Sequence, residues 1–212
     1  MSKRLFSWDK FFLVPIVGII RGISPEDVKS ILPVYKESGL NTIEITMNTK
    51  AAGDIIRFAR DKYPTLNVGA GTVCTEKDLQ HALDAGAQFI VTPIIDKKVI
   101  RSCVKKKIPI FPGAFTPTEI YQAWSLGASM VKVYPAKTLG PGYIKDVKAP
   151  LDQIKLMPTG GIGLNDIEAY RNAGADGFGI GTPLFIKQLI EEKNWEGLKE
   201  HFKKFVSKLD SK

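Results

Sequence analysis

VPIVGIIRGISPED (residues 14–27) contains the pattern that decides the fold. Its first half, residues 14–20, is a near-continuous apolar run, which is typical of a strand buried on both faces of a sheet. Its second half starts a helix, because Ser24 can cap the helix end, proline fits the first helical position and two acids occupy the first turn. The stretch therefore predicts a strand followed directly by a helix, and that helix stops at Gly39.

The same strand–helix pattern recurs eight times along the chain. The predicted strands are residues 14–20, 42–46, 67–71, 89–92, 109–113, 130–133, 155–158 and 177–180. Alternating units without linkers predict a parallel α/β sheet. Eight such units in 212 residues predict one closed (β/α)₈ TIM barrel, a single domain spanning residues 1–212. A doubly wound open sheet is the alternative, and it would be favoured by a GxGxxG turn after the first strand, which is missing here.

Helices outside the repeating units are predicted at both ends of the chain. Residues 4–12 indicate an extra N-terminal helix, and the amphipathic stretch 195–209 indicates a C-terminal helix. After the sixth strand, the glycine- and proline-rich residues 139–142 indicate a loop before a short helix at 143–148. The last unit is expected to start its helix near Pro183.

The composition excludes several classes of protein. Apolar residues make up 44% and charged residues 25% of the chain, as in ordinary globular proteins. Since no apolar run approaches the roughly 20 residues that span a bilayer, we expect no membrane segment. The start of the chain lacks the pattern of a signal peptide, and the two scattered cysteines need no disulfide, so we expect a cytoplasmic protein. The two histidines lie far apart, so we expect no metal and no other cofactor.

The charge balance is basic without indicating a nucleic-acid partner. The formal net charge is +8 and the isoelectric point is near 9.4. The basic residues are dispersed, and the densest run, 105–107, comes at a helix end, where cations are favoured. No aromatic-interleaved basic motif occurs. We therefore expect no nucleic-acid binding and a solvated basic surface instead.

MVKVYPA (residues 130–136) places a lysine inside an apolar strand. Alternation turns Lys132 away from the face that carries Val131 and Val133. In a sheet covered on both sides that amine is buried, and burial lowers the pKa of an amine. A neutral lysine amine is a nucleophile that forms a Schiff base with a carbonyl. The alternative is a surface lysine on a half-exposed strand.

Glu44 repeats this pattern between Ile43 and Ile45. A carboxyl group in an apolar site has a raised pKa, which suits a general acid/base near neutral pH. The alternative is that Glu44 and Lys132 form a structural ion pair in the core.

Two glycine-containing turns and an arginine follow other strands. Gly160 and Gly161 follow the seventh strand, and Gly181 and Thr182 follow the eighth. In barrels this location is a frequent phosphate site, because backbone amides at a helix start bind anions, although glycines also simply make tight turns. Arg21 ends the first strand and could hold a carboxylate, or be an ordinary strand-end arginine.

Several motifs in fixed order resemble those of the class I 2-dehydro-3-deoxy-6-phosphogluconate (KDPG) and 4-hydroxy-2-oxoglutarate (KHG) aldolases. The resemblance covers nearly the whole chain. The motifs are IIRG (19–22), IEIT (43–46), GAGTV (69–73), FIVTP (89–93), PGAFTPTE (112–119), VKVYPA (131–136), GPGYIK (140–145) and PTGGI (158–162).

The resemblance implies a role for each candidate residue. It makes Lys132 the Schiff-base lysine and Glu44 the general acid/base, with Thr72 and Pro93 lining a pyruvate pocket. Gly160, Gly161, Gly181 and Thr182 match the family's phosphate-binding loops, and Tyr134 replaces an aromatic that is often phenylalanine. The family's usual assembly is a homotrimer. Its activity implies a lyase that takes a 2-oxo acid phosphate and needs no metal.

One position departs from the family pattern. Many members carry an arginine four residues after the glutamate, where this chain has Asn48. Other members use an arginine at the end of the first strand, so the resemblance assigns the carboxylate clamp to Arg21. We expect cleavage of KDPG to pyruvate and D-glyceraldehyde 3-phosphate, with 4-hydroxy-2-oxoglutarate as a further substrate. The alternatives are the phosphogalactonate epimer or a phosphate-binding barrel isomerase or synthase.

Overall fold

The computed structural model describes residues 5–210, and the side chains of residues 5–209. The strands are β1 (Ile16–Ile20), β2 (Thr42–Thr46), β3 (Asn67–Gly71), β4 (Ile90–Val91), β5 (Ile110–Phe111), β6 (Gly113–Ala114), β7 (Val131–Val133), β8 (Leu156–Pro158) and β9 (Phe178–Ile180). The helices are α1 (Trp8–Leu13), α2 (Pro25–Glu37), α3 (Ala52–Lys62), α4 (Glu76–Asp84), α5 (Lys97–Lys105), α6 (Pro117–Ser125), α7 (Ala136–Lys148), α8 (Ile167–Asn172), α9 (Lys187–Glu191) and α10 (Trp195–Asp210). The predicted alternation of strands and helices is confirmed.

The strands pair in parallel throughout residues 5–210. One sheet has the order β5-β4-β3-β2-β1-β9, and a second has the order β6-β7-β8. Only Pro112 separates β5 from β6 in the chain, and a parallel bridge between Thr159 and Gly179 joins the end of β8 to β9. The fold is therefore an α/β fold with a curled, parallel sheet.

The two faces of the strands carry different residues, as the alternation predicts. Ile43 and Ile45 of β2 and Val131 and Val133 of β7 belong to the large hydrophobic core that also contains the buried helix residues. The side chains between them therefore point to the concave side of the sheet. Lys132 is one of these side chains, because β7 is a regular strand in which successive residues face opposite sides.

A second, smaller core fills the concave side near the amino ends of the strands. It joins side chains from β1, β4, β5 and β8, which meet only because the sheet curls, and it is covered by α1. Its members are Phe6, Phe11, Val17, Phe89, Val91, Phe111, Met130 and Met157. This apolar layer closes one end of the concave space and leaves the carboxyl ends of the strands open.

Side-chain caps start several helices where the sequence predicts. Ser24 accepts a hydrogen bond from the Asp27 N–H at the start of α2, with Pro25 in the first turn. Thr116 and Glu119 form a reciprocal capping box at α6. These caps satisfy backbone groups that a helix end leaves free, which fixes the direction in which each helix leaves its strand.

Three predicted boundaries need correction. The predicted strand 109–113 is split into β5 and β6, because Pro112 has no N–H to donate to a sheet. The predicted loop 139–142 lies inside α7, which begins at Ala136 and is interrupted only at Gly140, where φ is 74° and ψ is 171°. The last unit forms a separate turn before α9, which starts at Lys187 and not near Pro183.

The N-terminal helix also differs from the prediction. It was expected over residues 4–12, and α1 spans Trp8–Leu13 with Ser7 as its cap. Residue 4 lies outside the described part of the chain. The predicted C-terminal helix is confirmed as α10, packed mainly on α2. Among the described residues, no helix is both long and apolar enough to cross a membrane.

Candidate active site

A pocket of about 710 Å³ opens at the carboxyl ends of the strands. Seven of the ten residues singled out in the sequence line it. These are Arg21, Lys132, Tyr134, Gly160, Gly161, Gly181 and Thr182. Residues far apart in the chain thus converge on one concave site, which is the arrangement that a small-molecule site requires.

Lys132 reaches the pocket from the middle of β7. Its neighbours across the sheet are Gly113 of β6 and Met157 of β8, so it is held on both sides by backbone pairing. Only 3% of the residue is exposed. Burial lowers the pKa of Lys132, the negative charge of Glu44 opposes this, and the positive charge of Arg21 adds to it. A larger fraction of this amine is therefore neutral at a given pH than of a solvated lysine.

The aromatic ring of Tyr134 covers the lysine amine. The Lys132 Nζ lies 5.1 Å from the centre of the ring, and Tyr134 itself is 38% exposed at the mouth of the pocket. The two side chains are two residues apart on one extended segment, so both face the concave side. Tyr134 thus bounds the space beside the amine, and unlike a carboxylate its ring forms no ion pair with the amine.

Glu44 is the second buried ionisable residue on this side of the sheet. It is 1% exposed and pairs in register with Ile19 of β1 and Gly69 of β3. Burial raises the pKa of its carboxyl group, and the charges of Lys132 and Arg21 partly offset that rise. Neither carboxyl oxygen has a hydrogen-bond donor within residues 5–210. A buried polar atom without a partner costs about 1–3 kcal/mol, so packing alone does not account for this residue.

The structure does not support the alternative of a core ion pair. Among the described residues, no nitrogen of Lys132 lies within 4.0 Å of a Glu44 oxygen, although each group shifts the pKa of the other. The two groups are near enough to interact and far enough apart to leave the amine free. Such an arrangement suits a nucleophile and a separate proton carrier.

Gly71 makes the room that the Glu44 carboxyl group occupies. A β-carbon added to Gly71 would lie 2.3 Å from Glu44 Oε1 and 2.7 Å from its Cδ. Such distances are far below van der Waals contact, so any side chain here would push the carboxyl group aside. The sequence motif contained this glycine, but sequence reasoning gave it no role, because the contact joins two strands.

Arg21 follows β1 directly and is exposed at the pocket. The loop behind it is tied to the turn after β2, since the Gly22 N–H donates to Thr49 Oγ1, which in turn contacts Thr46 Oγ1 at 3.0 Å. These bonds hold the backbone at Arg21 while its side chain remains free to meet a ligand. Asn48 lies in the same turn after β2, is exposed, and does not line the pocket.

The two glycine-containing turns lie next to each other, and the second is adjacent to the end of β1, because β9 pairs with β1. Gly160 and Gly161 have φ angles of 96° and 75°, which only glycine adopts without strain. The Gly181 carbonyl accepts hydrogen bonds from the N–H groups of Leu184 and Phe185, so a single helical turn begins at Thr182. The glycines of the first turn and the helical turn of the second therefore place backbone, uncovered by side chains, along the wall of the pocket.

Thr72 and Pro93 are placed near the carboxyl ends of β3 and β4 and, like the buried Glu44, do not line the open pocket. Thr72 has a left-handed backbone with φ of 55°, which is strained for a non-glycine residue. A β-carbon added to Gly113 would lie 2.4 Å from the Pro93 carbonyl oxygen, so the chain passes close to β6 there. In the order of the strands, both residues therefore lie between β2, which carries Glu44, and β7, which carries Lys132.

Sequence reasoning missed other residues at this site. Ser24, Asp27 and Lys187 line the outer part of the pocket. Cys74 lies near enough to Lys132 for each to shift the pKa of the other, and burial together with nearby acids raises the pKa of its thiol. None of these residues lies on a strand, so the alternation rule could not detect them.

Comparisons with known proteins show the family of this chain. A model of the KDPG and KHG aldolase family matches residues 9–201. A 2-dehydro-3-deoxy-phosphogluconate aldolase of Haemophilus influenzae is 35% identical over 190 residues, which cover 89% of this chain and 89% of the relative. A 2-dehydro-3-deoxy-6-phosphogalactonate aldolase of Escherichia coli is 32% identical over 174 residues, covering 81% of this chain and 85% of the relative.

The same likeness extends to three dimensions. A solved structure described as native KDPGal has a TM-score of 0.84 and 30% sequence identity, and the match covers 92% of this chain and 93% of that one. The family model spans the strands that carry both Glu44 and Lys132. This chain belongs to the KDPG and KHG aldolase family, whose members are lyases.

Proposed function

We propose that this protein is a class I aldolase that cleaves KDPG to pyruvate and D-glyceraldehyde 3-phosphate. The observation that carries the proposal is the buried Lys132 amine, which faces the pocket with a lowered pKa and without an ion-pair partner within residues 5–210. Covalent catalysis by lysine needs such a neutral amine next to a proton carrier. A phosphate-binding isomerase or synthase needs no buried lysine amine, so this observation favours the aldolase.

The first half of the reaction attaches the substrate to Lys132. The amine adds to the C2 ketone to form a carbinolamine, whose hydroxyl group takes a proton from the Glu44 relay and leaves as water, and the nitrogen then holds its remaining proton in a protonated imine. This cation is the electron sink for the next step, so the polarisation is supplied within the covalent intermediate. The Tyr134 ring, 5.1 Å from Nζ, bounds the space beside the new bond.

The second half breaks the C3–C4 bond. Glu44, acting through a water molecule, takes the proton of the C4 hydroxyl group, and the bond electrons move into the imine to form an enamine. D-glyceraldehyde 3-phosphate leaves, the enamine takes a proton at C3 from the same relay, and hydrolysis releases pyruvate. The raised pKa of Glu44 supports this role, because its carboxyl group can both take and return a proton near neutral pH.

Two parts of the pocket hold the ends of the substrate in this proposal. The turns at Gly160–Gly161 and Gly181–Thr182 bind the phosphate, which their bare backbone and their location support. Arg21 holds the carboxylate, and its place in the pocket supports this role better than that of Asn48, which does not line it. The family resemblance assigns Thr72 and Pro93 to the pyruvate subsite, and their place between the strands of Glu44 and Lys132 supports this although neither lines the open pocket.

The phosphogalactonate epimer is a second candidate substrate. The E. coli relative named for that epimer is 32% identical, close to the 35% of the relative named for the gluconate epimer. The two substrates differ at C4, where the Glu44 relay acts. Values of kcat/KM for the two epimers and for 4-hydroxy-2-oxoglutarate (giving pyruvate and glyoxylate) would decide among them, with preference for the gluconate epimer expected.

A direct test of the proposal measures pyruvate release from KDPG by the purified protein. Lys132→Ala should abolish turnover, and Lys132→Met should do so while filling more of the space that the amine leaves. Lys98→Ala, which removes an exposed lysine from α5, is the matched control and should retain wild-type turnover. Appreciable activity of a folded Lys132→Met variant would exclude the covalent mechanism.

We further propose that this protein is a single barrel domain, that it assembles as a homotrimer and that it acts in the cytoplasm. The nine strand segments form an eight-stranded (β/α)₈ barrel within one domain over residues 1–212, if β5 and β6 count as one strand and the Thr159–Gly179 bridge closes the ring. The family resemblance supports a homotrimer. Both cysteines are free thiols, which suits a cytoplasmic enzyme.

A further inference from the structure

The side chain of Lys137 lies against one of the two glycine-containing turns. A β-carbon added to Gly161 would come within 2.7 Å of Lys137 Cδ and 2.8 Å of its Cβ. The aliphatic stem therefore crosses directly over the Gly161 backbone, and the ammonium group is two bonds beyond Cδ. Lys137 stands beside the pocket, next to a residue that lines it.

Backbone hydrogen bonds fix this arrangement. The Lys137 N–H donates to the Gly160 carbonyl at 3.0 Å, and the Ala136 N–H donates to the Thr159 carbonyl at 2.8 Å. The first turn of α7 is thus joined to the end of β8, and the stem of Lys137 starts from a held position. Only the outer part of the side chain has to be ordered by a ligand, which limits the entropic cost of using it.

The charge of Lys137 is uncompensated within residues 5–210. No carboxylate oxygen of the described residues lies within 4.0 Å of its ammonium group. Lys187, which lines the pocket, already pairs with Glu191 at 3.3 Å, and Arg21, which also lines it, is assigned to the carboxylate of the substrate. Lys137 is therefore better placed than Lys187 to meet an anion at Gly161.

We propose that Lys137 binds the phosphate group of the substrate and makes the enzyme selective for phosphorylated substrates. This inference rests on the proposed function. Backbone amides supply hydrogen bonds to a phosphate but no full charge, whereas an ammonium group adds a charge-assisted contact. Two observations favour glycine at position 161 in this arrangement. Its backbone is left-handed, and a side chain there would displace the aliphatic stem of Lys137.

The test uses Lys137→Gln, Lys137→Arg and the matched control Lys145→Gln, which removes an exposed lysine from the same helix. Inorganic phosphate is the probe, and its dissociation constant is measured by calorimetry on each folded protein. Lys137→Gln should weaken phosphate binding about tenfold, as expected for the loss of one charge-assisted contact. Lys137→Arg should restore most of the affinity, and Lys145→Gln should bind as the wild type does.

Kinetics provide a second readout. The ratio of kcat/KM for KDPG to kcat/KM for 4-hydroxy-2-oxoglutarate should fall about tenfold in Lys137→Gln, mainly through KM for KDPG. Equal phosphate affinity of Lys137→Gln and Lys145→Gln would overturn the inference, and so would a loss seen only in Lys187→Gln. Calorimetry needs no turnover, so these outcomes remain separate from a failure of the proposed aldolase function.

Discussion

Glu44 keeps two buried carboxyl oxygens without a hydrogen-bond donor among residues 5–210, and Lys132 keeps a buried amine without an ion-pair partner in the same part of the chain. An apolar pair of similar size would pack there at lower cost. Side chains that reduce stability are expected where chemistry occurs. A part for both side chains in the proposed reaction would explain this cost.

The cost of Lys132 should depend on pH in a defined direction. Its folded-state pKa is lowered from the ordinary 10.5, so the folded protein binds fewer protons than the unfolded chain between the two values. The contribution of Lys132 to stability therefore increases as the pH rises through that window and is least favourable below it. Glu44, whose pKa is raised from 4.5, contributes less as the pH rises above that value.

Lys132→Met should consequently be more stable than the wild type at acidic pH, by about 1–3 kcal/mol at about pH 5. The gain should shrink as the pH rises towards the ordinary lysine pKa of 10.5, because the folded wild-type amine loses its proton below that value and then no longer carries a buried charge. Urea denaturation at several pH values measures it. A gain that grows with pH would contradict the assignment of a lowered pKa to Lys132.

Glu44→Gln should lower kcat by about 10²- to 10⁴-fold, the usual effect of removing a general acid/base. The amide has nearly the shape of the carboxyl group, so the fold should be retained, and the thermal transition verifies this. Steady-state cleavage of KDPG by the variant gives the measurement. A variant with wild-type kcat would show that another group moves the proton.

At the scale of secondary-structure elements, the site depends on close approach between neighbouring strands. Gly71→Ala would place a methyl group 2.3 Å from Glu44 Oε1, so the carboxyl group must move. We expect about 1–3 kcal/mol of lost stability and at least about a 10²-fold lower kcat, because a displaced catalytic group loses its alignment.

Gly142→Ala is the matched control for this change. Within residues 5–210, and apart from its chain neighbours and the backbone of its own helix, no heavy atom lies within 4 Å of a β-carbon at Gly142, and its φ is not in the left-handed region. Its kcat and unfolding free energy should stay near the wild-type values. If Gly71→Ala also behaved as the wild type does, the contact between Gly71 and the Glu44 carboxyl group would have no catalytic importance.

Much of the secondary structure could be predicted from the sequence, because strand alternation and helix caps depend only on residues that are close in the chain. Alternation correctly predicted that Glu44 and Lys132 face the opposite side of the sheet from their apolar neighbours on β2 and β7. Ser24 correctly predicted the start of α2. The pairing of β5 with β4 and of β6 with β7 could not be predicted, since it depends on which neighbour each half of the strand meets.

Contacts between turns were equally inaccessible to sequence reasoning. Lys137 lies next to Gly161 because α7 starts at once after Pro135, whereas the glycine and proline at 140–141 indicated a loop. The pocket lining contributed by Asp27 and Lys187 arises from helices that meet only in the folded chain. These features depend on tertiary packing, which local patterns do not encode.

At the scale of the whole molecule, the curled sheet separates stability from chemistry. The apolar layer around Phe111 and Met130 fills the amino-terminal side of the concave space, and the reactive groups lie towards the open carboxyl side. Three large apolar side chains, Ile94, Phe115 and Tyr121, are 50%, 40% and 55% exposed on the chain as described. They follow β4 and β6 or lie on α6, and the proposed trimer would offer a surface to cover them.

Light scattering coupled to gel filtration checks the proposed assembly. A homotrimer predicts a mass three times that of the 23.4 kDa chain, and the mass should hold on dilution into the assay range. A mass equal to one chain at all concentrations would exclude the trimer without affecting the chemistry assigned to Lys132.

The central claim is that Lys132 forms an imine with pyruvate, and one measurement tests it most directly. The protein is incubated with pyruvate and sodium borohydride, digested and examined by mass spectrometry, with Lys132→Met treated in parallel. We predict a pyruvate-derived adduct on the peptide that contains Lys132 and none in the variant. A folded wild-type protein without an adduct, or with the adduct on another lysine, would contradict the account.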